Sequence, residues 1–141
     1  MKKLGIAALL AIATSGAAFA KDVCVHIDSG GAFGDIVFKS VKKLKPGGAV
    51  ALSGLWALST DAIPVSGTAV MRSDGKVEIG LQLFSLGAFG GTGVMAAAKV
   101  TADDATFAGS GFYENEDDGG NNTPDGSITF TSIDCATIVL P

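Results

Sequence analysis

The chain has 141 residues, 48% of them apolar and 17% charged, with 20 glycines and two cysteines. That is chain enough for one domain. Of its 10 Lys and Arg, Lys2 and Lys3 belong to a leader described below, leaving 8 against 14 Asp and Glu, or −6, which argues against a basic nucleic-acid binder.

Met1-Lys2-Lys3 is a short basic start, residues 4–13 form an apolar run, and Ala18-Phe19-Ala20 is an A-x-A cleavage site. This is the pattern of a signal peptide over 1–20, with one domain over 21–141. No later apolar run is long enough for a spanning helix, and no cysteine follows the cleavage site to carry a lipid. The expected location is the periplasm of a bacterium or the medium outside it. An oxidising compartment permits disulfides. Cys24 and Cys135, near the two ends of the mature chain and without a third partner, read as one structural bond. It would close a loop of roughly 110 residues, worth about 4–5 kcal/mol in the chain-entropy treatment, and bring the first and last strands together.

Alternation and turn residues dominate the remaining chain, not a helical period. Residues 23–28 are a short strand with Cys24 and His26, followed by the turn Ser29-Gly30-Gly31-Ala32. Residues 36–45 fit either a hairpin arm, favoured by β-branched content, or an amphipathic helix with Val37, Val41 and Leu44 on one face. Four lysines there (Lys39, Lys42, Lys43, Lys45) form the one basic patch. It reads as a solvated face that blocks edge pairing or as a contact for an anionic surface. Residues 49–58 put Val50, Leu52, Gly54, Trp56 and Leu58 on one face. Residues 64–72 and 76–85 make a hairpin across the Asp74-Gly75 signal. Residues 86–93 read as a glycine-rich loop whose Leu86 and Phe89 either fold over a barrel mouth or touch a partner. A second hairpin spans 94–101 and 106–113 around Asp103-Asp104, then a long acidic loop covers 114–126. Residues 127–140 close the chain as one bent strand or two short ones.

The sum is an all-β antiparallel meander of about eight strands, closing as a small barrel, with a two-sheet sandwich as the alternative. Gly54, Gly67, Gly80, Gly109 and Gly111 fall inside strands. Strand glycines mark bends and close backbone approach, which a closed barrel needs.

No catalytic constellation stands out: one histidine, no nucleophile elbow, no H-E-x-x-H, no phosphate loop. In the acidic loop, Glu114, Glu116 and Asp118 alternate ahead of Gly119, and Asp125 takes the twelfth place. That is the oxygen spacing of a calcium loop, although the plain alternative is a solvated hairpin tip. Gly54-Leu55-Trp56 resembles the G-x-W of lipocalins and avidins, in which the Trp plugs one barrel end. There the motif opens the barrel, whereas here it lies on the third expected strand. The expectation is an exported binding module for a ligand or partner, with Trp56, Phe89 and Tyr113 as aromatic contributors. The alternative is a structural or inhibitor-like secreted domain without a small-molecule site. A filled interior favours the second, a cavity under Trp56 the first.

Overall fold

The computed structural model describes residues 20–29, 33–86, 93–117 and 123–141. The expected leader, apart from Ala20, lies outside the described residues, as do Phe89 and Asp118. Eight strands follow in order: β1 (Lys21–Asp28), β2 (Phe33–Val41), β3 (Ala49–Ala57), β4 (Ala62–Met71), β5 (Lys76–Leu86), β6 (Gly93–Asp103), β7 (Gly109–Asp117) and β8 (Thr123–Ser132). They form a closed barrel in sequence order, each antiparallel to the next, and β8 returns to β1 through pairs from Val25↔Ser132 to Asp28↔Thr129. Closure decides against the sandwich.

One open alternative is resolved toward the hairpin arm, and two stretches differ from the reading above. The ambiguous segment is strand as far as Val41, where Cys24, Val25 and His26 pair with Val37, Ile36 and Asp35. The acidic stretch is not one loop: Glu114 pairs with Ala97 and Asp117 with Val94 on β6. Thr123 and Gly126 already belong to β8, opposite Asn115 and Tyr113 across a bulge. Alternation explains this, since Glu114 stands on the outward side of a strand whose Tyr113 turns inward. The end of the chain is not strand either. Past Ser132 only the Ile133 amide still joins the ladder, on the Cys24 carbonyl. A 3-10 turn (Cys135–Thr137) follows, capped by the Asp134 carboxylate on the Ala136 amide. That turn lets Cys135 reach Cys24 on the outer side of β1, and the two form a disulfide with Cα atoms 5.2 Å apart.

The strand connections fall at two ends. The upper end carries the β1–β2, β3–β4, β5–β6 and β7–β8 connections, and the lower end carries those of β2–β3, β4–β5 and β6–β7. The interior is a continuous apolar cluster in which Val25, Ile63, Ile79 and Val100 are almost wholly buried. No polar or charged residue is buried among the described residues. Phe107, on the β6–β7 connection with φ 58°, plugs the lower end against Phe38, ring centroids 5.7 Å apart and edge to face. Its turn is held by Asp103, whose carboxylate accepts from the amides of Ala105 and Thr106. On the outer face Ser53, Ser66, Thr68, Gln82, Ser127 and Thr129 are exposed, and so are Val70 and Phe112. No helix among the described residues is long and apolar enough to cross a membrane.

Inward-facing glycines let this wall coil tightly. A Cβ on Gly67 would run into the Gly80 carbonyl of β5, and one on Gly111 into the Lys99 carbonyl of β6. At Gly80 itself, facing outward, the nearest atom would be Thr68 Oγ1 at 3.9 Å. Gly67→Ala should therefore cost about 1–3 kcal/mol through overpacking. Gly80→Ala should be neutral or stabilise by about 0.4–1 kcal/mol by restricting the unfolded chain. Urea unfolding of the two variants checks this, and equal losses would refute the close approach.

Asp22 ties β1 to β2 where their register shifts. Its carboxylate accepts from the Ser40 amide at 2.9 Å and from Lys39 Nζ at 2.9 Å. The Ser40 amide first, then the Lys39 ammonium, hold its pKa below the ordinary aspartate value. A depressed carboxylate stabilises the fold above its unfolded pKa and ceases to as pH falls through the folded one. The melting-temperature difference between wild type and Asp22→Ala should thus be largest near neutrality and shrink as pH falls below about 4. A difference that does not change with pH would show that the ionised form contributes nothing.

Candidate functional site

Topology brings Trp56 and Tyr113 toward the upper end. Trp56 lies near the upper end of β3 and Tyr113 at the middle of β7, its hydroxyl reaching the upper end at Ser29, while Phe89 and Asp118 lie outside the described residues. β3 and β7 stand on opposite sides of the barrel, yet both aromatic residues turn inward. Trp56 belongs to the core cluster, and Tyr113 packs against that cluster half-buried.

Period-2 alternation places Trp56, since Leu52 is buried on the same side of β3 while Ala51 and Ser53 are exposed. The indole is 5% exposed. It lies across the backbone of Gly34 on β2, where a Cβ would strike Nε1. Gly34 is therefore the residue that makes room for the ring, and a glycine beneath a Trp on the next strand, 22 positions on, gives no local pattern to find it by. Tyr113 crosses under β8. Its ring covers Gly126, where an added Cβ would lie 2.9 Å from Cε1. Its hydroxyl donates to the Ser29 carbonyl at the end of β1, 3.4 Å away. One side chain thus spans β7, β8 and β1.

The calcium candidates are laid out differently from a wrapped loop. Glu114 and Glu116 are two residues apart on β7, and Asp125 is on β8; Asp118 is outside the described residues. A calcium loop curls its ligands around the ion, whereas alternate strand residues line up along one side. Among the described residues no group of three His, Cys, Asp or Glu is placed to hold a metal ion.

His26 faces outward on β1 and donates from Nδ1 to Asp35 Oδ1 on β2 at 2.7 Å, with both side chains partly exposed. The pair links two strands across the outer wall. Nothing local in the sequence marks Asp35 as a cross-strand partner nine positions away. Nor does it mark Phe107 as a turn residue, or Phe112 as a ring 74% exposed on the outer face of β7. Comparison with known protein families, curated proteins and solved structures finds no match for this chain.

Trp56 in this setting is a packing residue. Trp56→Ala should cost about 3–5 kcal/mol through lost burial and the cavity left behind, read as a fall in the urea midpoint. Wild-type tryptophan emission should resist quenching by acrylamide until the protein unfolds. A variant destabilised by only about 1 kcal/mol, together with ready quenching, would place the ring in an open site.

Proposed function

We propose that the protein is an exported binding module that meets its ligand or partner at the upper end of the barrel and not inside it. What supports the end over the inside, whatever the partner, is the continuous apolar core among Phe38, Phe107 and Trp56. A carrier barrel keeps a cavity with a few polar groups to orient its ligand, whereas this core is apolar from Phe107 at the lower end to Trp56 near the upper one. Binding is left to the connections, which in small barrels are the variable part on a rigid frame. The disulfide fits an oxidising compartment, and the basic start, apolar run and A-x-A site at residues 1–20 support export to the periplasm or beyond. The same apolar core supports the second reading, a structural or inhibitor-like domain that contacts a protein and has no small-molecule site.

The test is a thermal-shift screen of the oxidised mature chain, with calcium and with EDTA, followed by amide NMR on any hit. A ligand that binds only the native state raises the melting temperature by mass action. Shifts in the amide spectrum should then concentrate at 56–63, 113–117 and Ser29. Shifts centred on Ile79 and Val100 would move the site indoors and overturn the proposal. A rise in melting temperature of about 2 °C or more with millimolar calcium would favour a metal at Glu114, Glu116, Asp118 and Asp125. No rise removes that arm.

A further inference from the structure

The strand order sorts the charges along the barrel. Each of the eight Lys and Arg from Lys21 onward lies in a lower connection or in the half of its strand nearer one. The upper half of the described residues holds seven carboxylates (Asp28, Asp35, Asp61, Glu114, Glu116, Asp117, Asp125) and no Lys or Arg. Six carboxylates share the lower half with the cations, and most are engaged. Asp22 pairs with Lys39, Asp74 with Arg72, and Glu78 with Arg72 and Lys99. Asp103 and Asp134 accept from backbone amides of their own turns.

The β2–β3 connection stands apart from these pairs. Lys42, Lys43 and Lys45 are all exposed, no acid interrupts them between Val41 and Ala49, and no carboxylate lies within ion-pair distance among the described residues. The connection is also firmly set. Leu44 is buried in the core between the lysines. The Gly47 amide donates to the Met71 carbonyl and the Met71 amide to the Gly48 carbonyl. Three ammonium groups are thus carried on a fixed support at one end of an otherwise acidic protein.

We propose that this connection docks the barrel end-on to an anionic lipid surface, acidic end outward. The net charge of −6 does not oppose this. Even the nearest upper carboxylates stand more than about 10 Å away along strands of this length, against a Debye length of about 8 Å at physiological salt. The surface therefore sees the lysines and not the far end. Headgroups on a bilayer are a flat array of phosphates, which suits exposed lysines on a projecting turn. A single phosphate ion would need donors converging in a pocket, and a nucleic-acid strand would need a longer basic track with stacking rings. The proposal concerns the opposite end from the binding reading and stands without it.

The experiment is co-sedimentation of the oxidised mature chain with phosphatidylcholine vesicles, pure or with about a third phosphatidylglycerol. Wild type should bind only the anionic vesicles, and less as salt rises. A lysine near such a surface contributes about fivefold in binding, so the triple variant Lys42→Ala, Lys43→Ala, Lys45→Ala should lose on the order of 100-fold. The Arg triple variant should keep binding. Lys99→Ala, on the barrel wall and paired with Glu78, should match wild type. An unchanged near-ultraviolet tryptophan signal shows that each variant is folded. Equal binding to neutral and anionic vesicles, or a triple variant that binds like wild type, would overturn the proposal. So would vesicle-free self-association lost in the triple variant, since that would assign the lysines to the acidic end of a second copy.

Discussion

A meander of eight strands leaves two open edges unless the last strand finds the first, and here everything else follows from that meeting. β8 pairs with β1 over four residues, from Val25 to Asp28, a shorter ladder than the eleven pairs joining β5 and β6. Ile133 adds one more bond to the Cys24 carbonyl, and two residues later Cys135 is bonded to Cys24 itself. The disulfide therefore sits at the seam, beside one of the two shortest ladders, where chain entropy most opposes closure. With the seam closed, no edge is left to template pairing with another chain. The inward sides of all eight strands then become one enclosed core.

A closed wall must also be narrow enough for side chains to fill. Its glycines meet that need at Gly54, Gly67, Gly109 and Gly111, where a Cβ would collide with the carbonyl of the neighbouring strand. The space left by the small inward positions is taken up by few large residues: Phe38 and Phe107 below, Trp56 above, Tyr113 reaching under β8. Together these side chains join the eight strands into one apolar core.

Much of this was legible in the chain itself. Alternation and turn signals locate the β3, β4 and β5 segments within a few residues, and the inward side of Trp56 follows from Leu52 and Ser53 alone. The lone cysteine pair foretells the seam. What local pattern could not show is where period-2 alternation continues through unfavourable composition. Glu114 to Asp117 looks like a solvated tip, yet it pairs fully with β6, because an exposed strand face accepts charge as readily as a loop does. Phe107 looks like the start of a strand, and only the Asp103 turn and the contact with Phe38 give it a role as a plug. The His26–Asp35 pair and the fit of Gly34 to Trp56 are products of register, and a single sequence does not state its register.

Register and connectivity also turn a weak compositional fact into a geometric one. Along the chain, lysines cluster at 39–45 and acids at 114–118, separated by some seventy positions; as a linear pattern this says only that the protein is acidic. An up-and-down barrel sends alternate connections to opposite ends, so a cluster after an even-numbered strand and one after an odd-numbered strand cannot share an end. The β2–β3 connection and the β7–β8 connection obey this parity. The lysines and the acids are thereby held apart by the length of the barrel instead of neutralising each other. Had the basic run been placed one hairpin earlier or later, it would have faced the carboxylates across the upper end and formed ion pairs of little energetic value. Placed where it is, it leaves the two ends of a rigid, edge-free body chemically distinct, so that anything charged will approach them differently.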